Sequence, residues 1–177
     1  MRKLILSVAV SLDGFIEGPN GEYDWCFMDQ DYGMSAFFKS IDAIFMGRKS
    51  YELTQSMGTE APNPWKGMKI YVFSNTLKSI KDMDAVLISG DIHDKVAAIK
   101  KDSGKDIWLF GGASLTARLM NEGFVDELHL AIHPILLGSG KPMFQGVKGR
   151  VKTRLINSKT YDTGLVGLEY SVEKSNS

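Results

Sequence analysis

Residues 106–123, DIWLFGGASLTARLMNEG, join a strand to a helix through two glycines. Ile107-Trp108-Leu109-Phe110 is a short, unbroken apolar run, the pattern of a strand buried on both faces of a parallel sheet. Ser114 is placed to cap the helix that follows, Leu115, Leu119 and Met120 recur at helical spacing, and Gly123 suits the position just past its end. Gly111 and Gly112, lacking Cβ atoms, let the backbone approach a diphosphate, and the unpaired amides of the helix start supply donors aided by the dipole. The same unit also serves as a plain tight turn in α/β proteins, so alone it leaves both uses open.

Strands and helices alternate through most of the chain, which predicts a largely parallel sheet covered on both faces. Strands are expected at residues 4–10, 43–46, 69–73, 85–88 and 127–133, and helices at 31–40, 48–57 and 92–101, the last with Asp91 as N-cap. Residues 14–23, with Pro19, Asn20 and three glycines, read as a turn-rich loop, and 58–68 and 135–144 as irregular segments rich in glycine and proline. Residues 154–160 and 165–173, joined by Asp162-Thr163-Gly164, read as a terminal antiparallel hairpin.

With 177 residues, the chain suits one domain, 1–173, followed by a frayed tail at 174–177. Lys+Arg and Asp+Glu balance at 21 each, so there is no electrostatic footprint for nucleic acid. The single Cys26 cannot form an internal disulfide, which fits a reducing cytoplasm. Arg2-Lys3 and the apolar run after it lack a cleavage site and read as a first core strand, and no run reaches membrane-spanning length.

In a parallel sheet, ligands bind beyond the carboxyl ends of the strands. Three such ends carry suggestive groups. Gly111-Gly112-Ala113-Ser114 offers amides for a diphosphate. Gly47-Arg48-Lys49-Ser50 offers a helix start with two cations and a hydroxyl, suited to a phosphomonoester; cations there oppose the dipole, and a bound anion would compensate them. Ser74-Asn75-Thr76 adds hydroxyl and amide groups for a nucleotide. A diphosphate turn beside a site for a lone phosphate points to NADPH rather than NADH, while a solvated helix start is the alternative use of Arg48 and Lys49.

Asp13-Gly14-Phe15-Ile16, Met46-Gly47-Arg48-Lys49-Ser50-Tyr51-Glu52, Val72-Phe73-Ser74, Leu109-Phe110-Gly111-Gly112-Ala113, Asp126-Glu127-Leu128 and Leu137-Gly138-Ser139-Gly140 occur in an order that resembles the dihydrofolate reductase superfamily. The chain is most similar to the branch typified by the C-terminal reductase domain of the riboflavin-biosynthesis deaminase-reductase. The resemblance implies a three-layer α/β fold with a mostly parallel sheet and a C-terminal antiparallel hairpin. It also implies an NADPH-dependent reductase, usually a homodimer, whose first-strand loop folds over the nicotinamide. Gly47, Arg48, Lys49 and Ser50 match the family's phosphate-binding helix start, Ser74 and Asn75 its adenosine contacts, and Gly111, Gly112, Ala113, Ser114 and Leu115 its diphosphate turn. The segment 137–144 resembles the part that packs near the dimer interface.

Hydride transfer needs a proton source beside the nicotinamide, and a carboxylic acid in a partly apolar pocket, its pKa raised by desolvation, is a natural one. Asp31 is the leading candidate, with Asp13 and Asp29 as alternatives; a second alignment, on Phe38-Lys39, puts Met34 at the acidic position. Asp31 as a helix-start carboxylate and Asp13 as a turn former remain open. Ile16, Trp25, Phe38 and Tyr51 are candidates for the substrate wall. His129 and His133 alternate on one strand without a third metal ligand in view. The resemblance also implies a threonine supporting the acid, where Ala131 stands, which points away from dihydrofolate toward a smaller heterocycle or a carbonyl compound.

Overall fold

The computed structural model describes residues 1–56, 65–80 and 84–174. In chain order they form β1 (Leu4–Ser11), β2 (Phe15–Glu17), α1 (Met34–Ser40), β3 (Ile41–Gly47), α2 (Arg48–Ser56), β4 (Lys69–Phe73) and β5 (Ala85–Ile88). There follow α3 (His93–Lys101), β6 (Asp106–Gly111), α4 (Ala113–Asn121), β7 (Glu127–His133), β8 (Lys141–Pro142), β9 (Thr153–Thr160) and β10 (Val166–Val172). The principal sheet has the order β5-β4-β3-β6-β1-β7-β10-β9. All its pairings are parallel except β7–β10 and β10–β9, the expected mostly parallel sheet with a terminal hairpin.

Side-chain alternation along the strands divides the core into two layers. Leu4, Leu6, Phe45, Ile107 and Leu109 face α3 and α4 through Val96, Leu115 and Leu119. Ile5, Ile44, Met46 and Trp108 face α1 and α2 through Phe37 and Tyr51. Helices cover both sides of the sheet, so the middle strands β3, β6 and β1 bury apolar side chains on both faces.

Several boundaries differ from those predicted. Helix α1 starts three residues after Asp31, because Tyr32 (φ 47°) and Gly33 (φ 87°) are both left-handed and the right-handed helix cannot begin before Met34. Helix α4 starts at Ala113 with Gly112 in the capping position, so Ser114 lies inside the first turn and caps nothing. Ile92, not Asp91, is the N-cap residue of α3, although Asp91 Oδ1 still accepts the His93 amide at 3.1 Å. The loop predicted at 14–23 and the excursion at 135–144 each contribute a short strand, and β2 and β8 pair as a separate antiparallel ribbon. Most of the irregular segment at 58–68, Met57 and the last three residues of the tail lie outside the described residues.

Candidate functional site

Strands β1, β3, β4, β5, β6 and β7 run parallel, so their carboxyl ends share one edge of the sheet. At that edge the helices leaving the neighbouring strands β3 and β6 diverge: α2 goes to the Trp108 face and α4 to the Leu109 face. Divergence of adjacent connections opens a crevice at the strand ends, where α/β proteins bind ligands.

The two glycine turns meet in this crevice. A Cβ added to Gly47 would stand 3.8 Å from the Gly111 carbonyl oxygen and 4.0 Å from both the Gly112 nitrogen and Leu115 Cβ; one added to Gly112 would stand 3.6 Å from Ser50 Oγ. Gly111 has φ 110°, a conformation reserved for glycine, and the Gly111–Gly112 peptide is cis. The first-turn amides of both helices have no acceptor within their own helix, so two sets of donors border one space. Gly47, Ser50, Gly111, Gly112, Ala113, Ser114 and Leu115 are thus brought together. Leu115 is buried in the core, which leaves only its backbone for a ligand.

The cations behave differently from each other. Arg48 Nη1 donates to Glu52 Oε1 at 3.0 Å and Oε2 at 3.2 Å, so Glu52, rather than a bound anion, balances this cation at the helix start. The spacing of four residues makes this pair readable in the sequence. Lys49 is exposed and has no ion pair among the described residues. Ser74 Oγ accepts the amides of Thr76 and Leu77, both at 3.1 Å, and Asn75 Oδ1 accepts the Gly90 amide at 2.8 Å. Both side chains therefore shape the turn after β4 and tie it to the turn after β5.

Neither candidate acid sits in an apolar pocket. Asp31 is exposed, and its Oδ1 accepts the Ser35 amide at 2.8 Å; hydrogen bonding by the Ser35 side chain first, and then by this amide, holds its pKa below the usual carboxylate range. Asp13 is also exposed. It accepts a hydrogen bond from Ser11 Oγ at 2.6 Å and from the amides of Gly138 and Leu137 at 2.7 and 3.2 Å. The Ser11 contact, followed by the two amides, outweighs desolvation and lowers its pKa too. The expected rise by desolvation is absent because donors surround both carboxylates. Asp13 instead fastens the end of β1 to the segment after β7. Asp29 accepts the Tyr32 hydroxyl at 2.7 Å.

An aromatic group lies on the α1 side of the sheet. Phe38 is 5.8 Å from Trp108, Trp108 4.9 Å from Phe110, and Trp65 5.8 Å from each of Trp108 and Phe110, between ring centroids. Tyr51 is buried within this layer as core. Ile16 lies on the half-buried strand β2. Trp25 packs edge-on against His133, 5.2 Å away. His133 is 3% exposed at the end of β7, where its Nε2 accepts the Phe27 amide at 3.1 Å, and burial lowers its pKa. His129 bonds Glu127 at 3.0 Å near the opposite end of the same strand.

Residues 2–167 match the family model of the RibD C-terminal domain. Protein YyaP of Bacillus subtilis (strain 168) is 46% identical over 178 residues, covering 96% of this chain and 94% of YyaP. A protein from Shewanella sp. PV-4, named for riboflavin biosynthesis, has the same fold with a TM-score of 0.85 at 24% identity, over 97% of this chain and 99% of its own. A dihydrofolate reductase from Enterococcus faecalis, complexed with NADP(H), shares it with a TM-score of 0.69 at 14% identity, over 97% of each chain. The architecture is therefore that of the dihydrofolate reductase-like fold, and the family match spans nearly all of the sequence. The chain belongs to the RibD C-terminal domain family.

Proposed function

We propose that the protein is an NADPH-dependent reductase that acts on a small planar heterocycle of pterin, folate or aminopyrimidine type and works as a homodimer. The observation that carries this reading is the convergence of the Gly47 and Gly111–Gly112 turns on one crevice. The fit is chemical as well as steric: amides of two helix starts suit a diphosphate, and the exposed Lys49 and the partly exposed Arg48 flank it for a further phosphate. NADPH would supply the hydride. Arg48 would exchange Glu52 for the phosphate, an inexpensive swap because surface ion pairs contribute only about 0–1 kcal/mol. The aromatic group on the α1 side would keep water from the reacting carbon. With Asp13 and Asp31 both held ionised, the proton would come from solvent.

Titration calorimetry with NADPH and NADH tests the cofactor. Binding of NADPH in the micromolar range is expected, and Arg48→Ala should weaken it about tenfold or more while changing NADH affinity little. No heat at millimolar NADPH, or equal losses for the two nucleotides, would count against the assignment. The ionised state of both acids favours one rival, a dinucleotide-binding module without turnover. Oxidation of NADPH by any member of a pterin and aminopyrimidine panel excludes that rival.

A further inference from the structure

We infer that His133, as the neutral Nδ1-protonated tautomer, is the latch that holds residues 23–33 against the end of β7, and that its protonation releases them. The tautomer follows from the partners. Nδ1 lies 2.9 Å from the Ala131 carbonyl oxygen, which only accepts, so Nδ1 carries the hydrogen; Nε2 faces the Phe27 amide, which only donates, so Nε2 must be bare. A second proton on the ring would set two N–H groups against each other and cancel the bond to Phe27.

The ring also packs against two aromatic side chains of this segment. Trp25 meets it edge-on and Phe27 lies 5.1 Å away, while Phe27 itself is 37% exposed. A second attachment is made on the terminal hairpin: Tyr32, whose ring stacks 6.4 Å from Phe27, reaches Thr163 Oγ1 at 3.2 Å and packs 4.9 Å from Tyr161. Loss of the His133 contact would free the segment around Phe27 while Tyr32 keeps its far end tethered, which makes the motion a hinged opening rather than unfolding.

Among the described residues no charged neighbour masks the switch. Asp24, Asp29 and Asp31 on the segment, Asp13 after β1, and Asp162 and Lys159 on the hairpin are all exposed, and only burial and the Ala131 carbonyl act on the ring's protonation. Cys26, beside Trp25, has its thiol pushed up to about 11 by burial and stays neutral throughout. Burial lowers the imidazole below its ordinary pKa of about 6.5. The latch is therefore closed above that value and opens as pH falls through the lowered one. This segment joins the loop at 14–23, which the family resemblance folds over the nicotinamide, to α1, so His133 is a positioning residue for the proposed reductase. That link rests on the reductase reading, but the latch does not.

Nitrogen-15 NMR of the ligand-free protein tests it directly, with the tautomer of His133 and the exchange of the Phe27 amide followed across the acid range. The expected result is an Nδ1-protonated ring at neutral pH and exchange at Phe27 that, corrected for its intrinsic pH dependence, rises about tenfold or more as His133 titrates. In His133→Phe, which keeps the ring but removes the acceptor, that exchange should be fast at every pH. An Nε2-protonated ring, or a Phe27 amide indifferent to the titration, overturns the latch. If the switch is seen but NADPH does not bind at any pH, the latch stands and the reductase reading falls.

Discussion

Lys100 is 3% exposed, yet it is a lysine on the inner face of α3. Its ammonium group donates to the Phe124 carbonyl and to Asp126 Oδ2, and Asp126 also accepts the Leu4 amide at 2.8 Å and pairs with Lys174 at 3.1 Å. Burial works to raise the Asp126 pKa, but these donors prevail and hold it below the usual carboxylate range. A depressed carboxylate contributes stability that is fully present above the unfolded value of about 3.9 and is lost as pH falls through the folded one. Asp126→Ala strands a buried cation, so a loss of about 3 kcal/mol is expected in urea unfolding at neutral pH, shrinking toward pH 3. A loss under about 1 kcal/mol would show that Lys174 or water compensates. This pair is invisible in the sequence because its members are separated by 26 positions and meet only across the sheet edge. By contrast the Arg48–Glu52 pair lies within one helix turn and is readable from spacing alone. Likewise, only the folded environment decides the ionisation of Asp13 and Asp31: their types suggest acids, but their donors come from the Ser11 and Ser35 side chains and from backbone amides.

Elements are legible where apolar periodicity is long and uninterrupted. Strands β4, β5 and β7 and the body of α4 stand where the pattern puts them, because buried parallel strands and amphipathic helices imprint their periods on composition. The short ribbon of β2 and β8 leaves no such imprint. It is held by pairing between distant segments and by Gly140 (φ 149°), where any Cβ would fall 2.2 Å from the Glu17 carbonyl oxygen. The start of α4 escapes the pattern for a local reason, since the diglycine itself serves as turn and cap. The starts of α2 and α4 make the proposed site, and Gly47 tests them as a unit. Its nearest neighbours would lie 3.8–4.0 Å from an added methyl, ordinary van der Waals distances, so the folded protein has room for Gly47→Ala. The added methyl would, however, occupy the space shared by the two sets of amides. The expected outcome is a melting temperature within about 1–2 °C of the parent, corresponding to under about 0.5 kcal/mol. NADPH affinity should fall about tenfold or more, near 1.4 kcal/mol. Unchanged affinity in a stable variant would place the diphosphate elsewhere.

At the scale of the whole molecule the sheet is asymmetric. One margin, β5, ends beside helix-covered strands, whereas the other margin is β9, whose every residue is exposed and which carries Leu155 at 52% and Ile156 at 51%. An exposed edge strand is an open template for pairing, and although Arg154 and Lys159 charge this one, Leu155 and Ile156 leave its middle apolar. Inboard of it, Leu128, Leu130, Phe144, Val147, Val151 and Tyr170 line a groove of about 430 Å³. Leu155 pairs in register with Tyr170, and Tyr170 with Leu128, so strand edge and groove form one continuous apolar surface. The groove includes Phe144, from the segment that the family resemblance associates with the dimer interface. The proposed homodimer would seat a second copy on this surface, since a two-fold axis lets each edge meet its own equivalent, and a stable contact needs about 800 Å² per partner. Sedimentation equilibrium at micromolar concentration is expected to give twice the chain mass. Leu155→Glu should shift it to the monomer, with at least a hundredfold weaker association, because two like charges would be buried across the axis. Its circular dichroism should stay unchanged, since Leu155 is exposed within the single chain. A parent protein that sediments as a monomer would leave this margin without a partner, and a Leu155→Glu protein that remains dimeric would move the interface to another face of the molecule.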